Sequence, residues 1–124
     1  MVIPLSKDVT GPPDRILPRH VLETRIRIRL ERGNKKLSLL GWARDLSESG
    51  IGAFVAEALT LGEVVTLEVP LADSGPQVIP AGVVRALGTE IGFQFTALSA
   101  EQRQQVQATL TGHPTIPFHD GAQL

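Results

Sequence analysis

The chain has no cysteine and no tyrosine, and only one tryptophan and four phenylalanines among its 124 residues. Without cysteine there is neither a disulfide framework nor a thiolate metal site. So few aromatics argue against a stacking platform for single-stranded nucleic acid. No apolar run approaches the ~20 residues that cross a bilayer, so no membrane insertion is expected. Met1 to Asp14 lacks the basic-then-apolar order of a secretory signal, and a cytoplasmic location is the default expectation. His20, His113 and His119 have no ligand spacing, and no metal site or cofactor is expected. There is no elbow serine, phosphate loop or general-base pair. Asp45 and Ser47 have no histidine near them in the chain and make no triad. No catalytic residue is assigned, and the chain is not expected to be an enzyme.

Charge of both signs is present, but unevenly. The net charge is −1. Residues 15–45 hold nine Lys/Arg and three acids, whereas Leu46 onward holds two basic residues and eight acids. The basic half can hold an anion. The acidic half makes long nucleic acid a poor partner.

Residues 1–13, with Pro4, Gly11, Pro12 and Pro13, show no sustained period and read as a flexible arm. Val21 to Leu30 alternates. Leu22, Thr24, Ile26, Ile28 and Leu30 share one face and Glu23, Arg25, Arg27 and Arg29 the other, which predicts a half-buried strand with a solvated basic row. Gly33-Asn34 predicts a hairpin turn into a second strand, Leu37 to Leu46, with Trp42 expected in the core. Further strands are expected over 51–56, 64–71, 77–87 and 90–95. Arg85 is expected on a solvent-facing strand position. Ser99-Ala100-Glu101-Gln102 fits a capping box and predicts a short helix that Gly112 and Pro114 end. Six short strands with turns at about ten-residue intervals predict an antiparallel barrel or sandwich. The domain is expected over 14–112, with 113–124 a loose tail.

Two patterns carry chemistry. Arg15-Ile16-Leu17-Pro18-Arg19 places two arginines four apart, on a loop because Pro18 disfavours helix at Leu17. Asp45-Leu46-Ser47-Glu48-Ser49-Gly50 reads D-x-S-x-x-G directly after an apolar run. One strand, a hairpin and a second strand separate the patterns, so both are expected at one end of the barrel. A guanidinium is a planar fork that pairs with phosphate oxygens or with guanine O6 and N7. A carboxylate complements guanine's N1–H and exocyclic amine, a donor pair adenine lacks. Ser47 can donate to a ligand or to its own turn. Gly50 permits a close backbone approach. Arg44, beside Asp45, could reach a phosphate or pair with an acid.

In these motifs, and in Gly62-Glu63-x-Val65, Gly82-Val83-Val84-Arg85 and the closing helix, residues 14–111 resemble the PilZ domain family of bacterial cyclic di-GMP receptors. The resemblance implies a six-stranded antiparallel β-barrel with a short C-terminal α-helix and a mobile N-terminal arm. It implies that Arg15 and Arg19 contact guanine and phosphate, and that Asp45, Ser47 and Gly50 contact or frame a guanine. The chain has Asp14 where the family often has another arginine. The expectation is a cyclic di-GMP receptor whose arginine loop closes on the strand end and alters a surface for a protein partner. The alternative is a PilZ-like adaptor that binds no nucleotide. A third possibility, a small nucleic-acid-binding barrel, conflicts with the acidic second half.

Overall fold

The computed structural model describes residues 18–72 and 74–115. The arm, Arg15 and residues 116–124 lie outside them.

Alternation sets the first hairpin. Strand β1 (His20–Arg32) turns its odd-numbered basic residues outward and Ile26, Ile28 and Leu30 inward. It turns at Gly33, which takes φ 61°, into β2 (Lys35–Leu46). The register runs from Arg32 opposite Lys35 to His20 opposite Leu46. Then follow β3 (Gly50–Val55), β4 (Val64–Pro70), β5 (Pro76–Leu87), β6 (Glu90–Phe95) and helix α1 (Ala100–Thr111).

All strand pairs are antiparallel, and the order β1-β2-β3-β6-β5-β4 closes into a barrel when β4 pairs with β1. Closure removes the open edges that a six-stranded sheet would otherwise present. The interior is filled by inward β-branched and leucine side chains, among them Ile28, Val55, Leu67, Ile79 and Ile91, each essentially inaccessible. Side chains fill a barrel of this size and leave no lumen for a ligand. A ligand therefore has to bind outside the barrel or at a rim.

Helix α1 carries the expected capping box. Ser99 Oγ accepts from the Gln102 amide at 3.0 Å, and Gln102 Oε1 accepts from the Ser99 amide at 3.1 Å. Val106 and Leu110 are buried with the barrel core, and Gln102 Nε2 donates to the Val78 carbonyl at 2.9 Å. The chain then returns to the start of β1. The Val21 amide donates to the Pro114 carbonyl at 2.9 Å, and His20 bridges Thr115. Residues 113–115 are thus held against the barrel end where β1 begins.

Trp42 departs from expectation. It points outward, 43% exposed, opposite Phe54 of β3. The alternation of β2 puts Gly41 and Ala43 inward, and Trp42 between them has only the outer face available. Arg44 lies over the Phe54 ring, 4.9 Å from its centroid, and also approaches Glu23 at 4.0 Å.

Candidate functional site

Asp45 is the penultimate residue of β2, and Arg19 immediately precedes β1, whose pairing with β2 brings the two together. Arg19 Nε donates to Asp45 Oδ1 at 2.8 Å, and a terminal nitrogen of the same guanidinium donates to the same oxygen. The side chains are 24% and 19% exposed, so the pair sits at the surface with part of each group still wet. Of the two motif arginines, this places Arg19 on the D-x-S-x-x-G motif. Arg15 lies outside the described residues.

Ser47 points into the turn and is fully buried. Its amide donates to the Gly50 carbonyl at 2.9 Å, and its hydroxyl accepts from the Ser49 amide at 3.2 Å. A hydroxyl that satisfies the backbone of its own turn fixes the path of residues 47–50. Gly50 is fixed by steric need, since a Cβ there would lie 2.1 Å from the Phe93 carbonyl oxygen of β6. The Ser49 carbonyl also accepts from the Phe95 amide at 2.8 Å, which clamps the turn to β6.

Gly52 was not singled out by the sequence. It stands opposite Asp45 in the β2–β3 register, and a Cβ on it would lie 2.9 Å from both carboxylate oxygens. The Asp45 carboxylate thus lies across Gly52. The only sequence signal is the second glycine of Gly50-Ile51-Gly52, two residues beyond the motif. A bulge between Ala43 and Asp45 locally shifts the register just before the carboxylate, the kind of irregularity that re-aims a side chain.

The assembled site is a shallow outer face of the barrel. It has a carboxylate, a guanidinium on that carboxylate and a floor of glycines. Such a face offers acceptors on the carboxylate, donors on the guanidinium and, at the glycines, no side chain in the way of a flat group. Among the described residues no group of three or more His, Cys, Asp or Glu could hold a metal ion. No helix of the described residues is long and apolar enough to cross a membrane.

A family model for the PilZ domain matches residues 15–112. The chain belongs to the PilZ domain family. Solved structures agree with the fold. The PilZ domain of CeSA from a cellulose-synthesizing bacterium is 21% identical with a TM-score of 0.60, covering 76% of this chain and 95% of that one. The PilZ domain of YcgR from Escherichia coli, solved with c-di-GMP, is 19% identical with a TM-score of 0.61, covering 77% and 88%. The Bacillus subtilis inhibitor of motility MotI/DgrA is 16% identical with a TM-score of 0.54, and the match covers 90% of this chain but 55% of that one. No curated protein matches the chain.

Proposed function

We propose that this PilZ domain is a cyclic di-GMP receptor with no catalytic activity of its own. The observation that carries the reading is the Arg19 guanidinium seated on the Asp45 carboxylate. Guanine's N1–H and exocyclic amine form the same N–C–N donor unit as a guanidinium. Asp45 already accepts that pattern from within the chain and would accept it from the base. On binding, the base takes the carboxylate, and Arg19, with Arg15, turns to the phosphates and the remaining base edge. Ser47 and Gly50 keep the turn in place beneath the ligand.

Exchange of this kind moves the segment before β1 and so changes the surface offered to a protein partner. A cytoplasmic site of action fits such a second-messenger switch. The adaptor reading draws on the same ion pair, since Asp45 is satisfied by Arg19 without any ligand.

Calorimetric titration of the purified chain separates the two. Cyclic di-GMP is expected to give a saturable signal, with GTP and cyclic di-AMP giving none; a flat trace overturns the receptor reading. Arg15→Ala, Arg19→Ala and Asp45→Ala are each expected to lose about 1–3 kcal/mol of binding with Tm little changed. If Asp45→Ala unfolds the chain, the motif is a structural turn and no binding site.

A further inference from the structure

Four residues lie side by side across the outer face of the barrel. Arg25 of β1 stands opposite Trp42 of β2, Trp42 opposite Phe54 of β3, and Phe54 opposite Glu90 of β6. The row reads cation, aromatic, aromatic, anion. Strand alternation turns all four outward. Arg25 and Glu90 are exposed and Phe54 is half-buried. Leu40, two residues before Trp42 on the same face, is 53% exposed and widens the apolar centre. Arg44, over the Phe54 ring, borders it, and a guanidinium, planar and weakly hydrated, can be covered along with the ring.

The two charged ends stand apart from their neighbours. Arg27 and Arg29, the next members of the basic row on β1, are held by Glu68, and Arg44 approaches Glu23. The Arg25 and Glu90 side chains make no hydrogen bond or ion pair among the described residues. Three strand intervals, roughly 14 Å, and two aromatic rings separate them, and they do not meet within one chain. An aromatic pair left in water between two unpaired opposite charges has the anatomy of an interface, an apolar core with a polar rim.

We propose that this row is the isologous interface of a homodimer. In a two-fold dimer one patch faces itself, so that residue i meets j and j meets i. A two-fold axis running along the strands, between β2 and β3, lays β2 over β3 of the second copy and β1 over its β6. Trp42 and Phe54 then meet Phe54 and Trp42 of the second copy, and Arg25 meets Glu90 on both sides of the axis. The aromatic centre loses its water, and the two charge contacts at the rim fix the register. A partner of one charge sign would satisfy one end of the row and be repelled by the other, whereas a second copy satisfies both. Asp45 and Arg19 take no part in this contact, so it stands whether or not the chain binds a nucleotide.

The test is sedimentation velocity of the full chain over a concentration series, read beside the emission of Trp42, the only tryptophan of the chain. The parent is expected to pass from monomer to dimer below about 1 mM, with the Trp42 emission shifting to the blue on the same curve. Arg25→Glu and Glu90→Arg each set like charges against each other across the two-fold axis. Each alone is expected to weaken the dimer at least about tenfold. A mixture of these two variants is expected to dimerise like the parent, because both contacts of the mixed pair join opposite charges. Trp42→Ala, outside the core, is expected to keep the parent's Tm and to weaken the dimer at least about tenfold. A parent chain that stays monomeric overturns the proposal, and so does a dimer that forms with no change in Trp42 emission, since it then uses another face. A monomer whose emission is already blue-shifted at every concentration means that another part of its own chain covers Trp42, and this too overturns it. If the mixture associates no better than either single variant, Arg25 does not meet Glu90 and the two-fold arrangement falls.

Discussion

Gly50 and Gly52 lie two residues apart on one strand, yet substitutions at the two are expected to fail differently. A methyl at Gly50 meets a backbone carbonyl of β6 at 2.1 Å, and nothing short of moving the strand relieves it. Gly50→Ala is expected to destabilise the fold by about 1–3 kcal/mol or more, as overpacked sites do, read as a fall in Tm. A methyl at Gly52 meets the end of a side chain at 2.9 Å. The Asp45 carboxylate can swing away, so Gly52→Ala is expected to keep most of its Tm and to lose cyclic di-GMP binding. Equal losses of Tm in the two variants would refute this division. Gly50 was legible in the sequence because the motif contains it. Gly52 was not, because its role depends on which residue of β2 faces it, and a bulge sets that register. The same limit explains Trp42. Size and apolarity suggested the core, but its position between two inward residues left it outside.

At the scale of elements, the link between the end of β1 and the start of β4 is made by charge. Arg32 Nε donates to Glu63 Oε2 at 2.7 Å and a terminal nitrogen to Oε1 at 3.1 Å, while a further bond reaches the Ala58 carbonyl at 2.7 Å. Glu63 Oε1 also accepts from the Thr60 amide at 3.0 Å. One carboxylate thus pins the connection before β4 to the hairpin of β1 and β2. The Arg32 hydrogen bonds, and then the Thr60 amide, hold the Glu63 carboxyl below its ordinary value of 4.5. A lowered folded value means the unfolded chain takes up the proton first. The stabilisation is complete above 4.5 and is lost as pH falls through the folded value. Arg32 is shifted upward by the same bond, so its share is lost only in strong alkali. Glu63→Gln is therefore expected to lower Tm at neutral pH and to flatten its decline as pH falls below 4.5. Parallel Tm-against-pH curves for the variant and the parent would show that Glu63 does not carry this dependence. The strands and the helix cap were readable because their signals are periodic or local. The Arg32–Glu63 link joins residues 31 apart and exists only after the barrel closes.

For the whole molecule, closure also decides what the uneven charge does. The basic row on β1 belongs to the first half of the chain, yet Glu68 of β4, from the acidic half, sits between two of its members. Arg29 reaches Glu68 at 2.6 Å and Arg27 approaches it at 3.7 Å. Arg27 also donates to Ser38 Oγ at 2.9 Å. The β1–β4 pairing thus sets an acid from one half against the cations of the other and mutes a surface that a phosphate backbone would otherwise favour. Exposed pairs of this kind contribute little to stability, about 0–1 kcal/mol, so their main effect is on what the surface attracts. Glu68→Gln is accordingly expected to leave Tm nearly unchanged and to leave cyclic di-GMP affinity unaltered, because the motif residues are untouched. It is expected to elute from heparin at higher salt than the parent and to gain weak, steeply salt-dependent binding to oligonucleotides. Unchanged heparin retention would mean that the acidic half does not shield the β1 row. A simultaneous loss of cyclic di-GMP binding would mean that the row belongs to the ligand site.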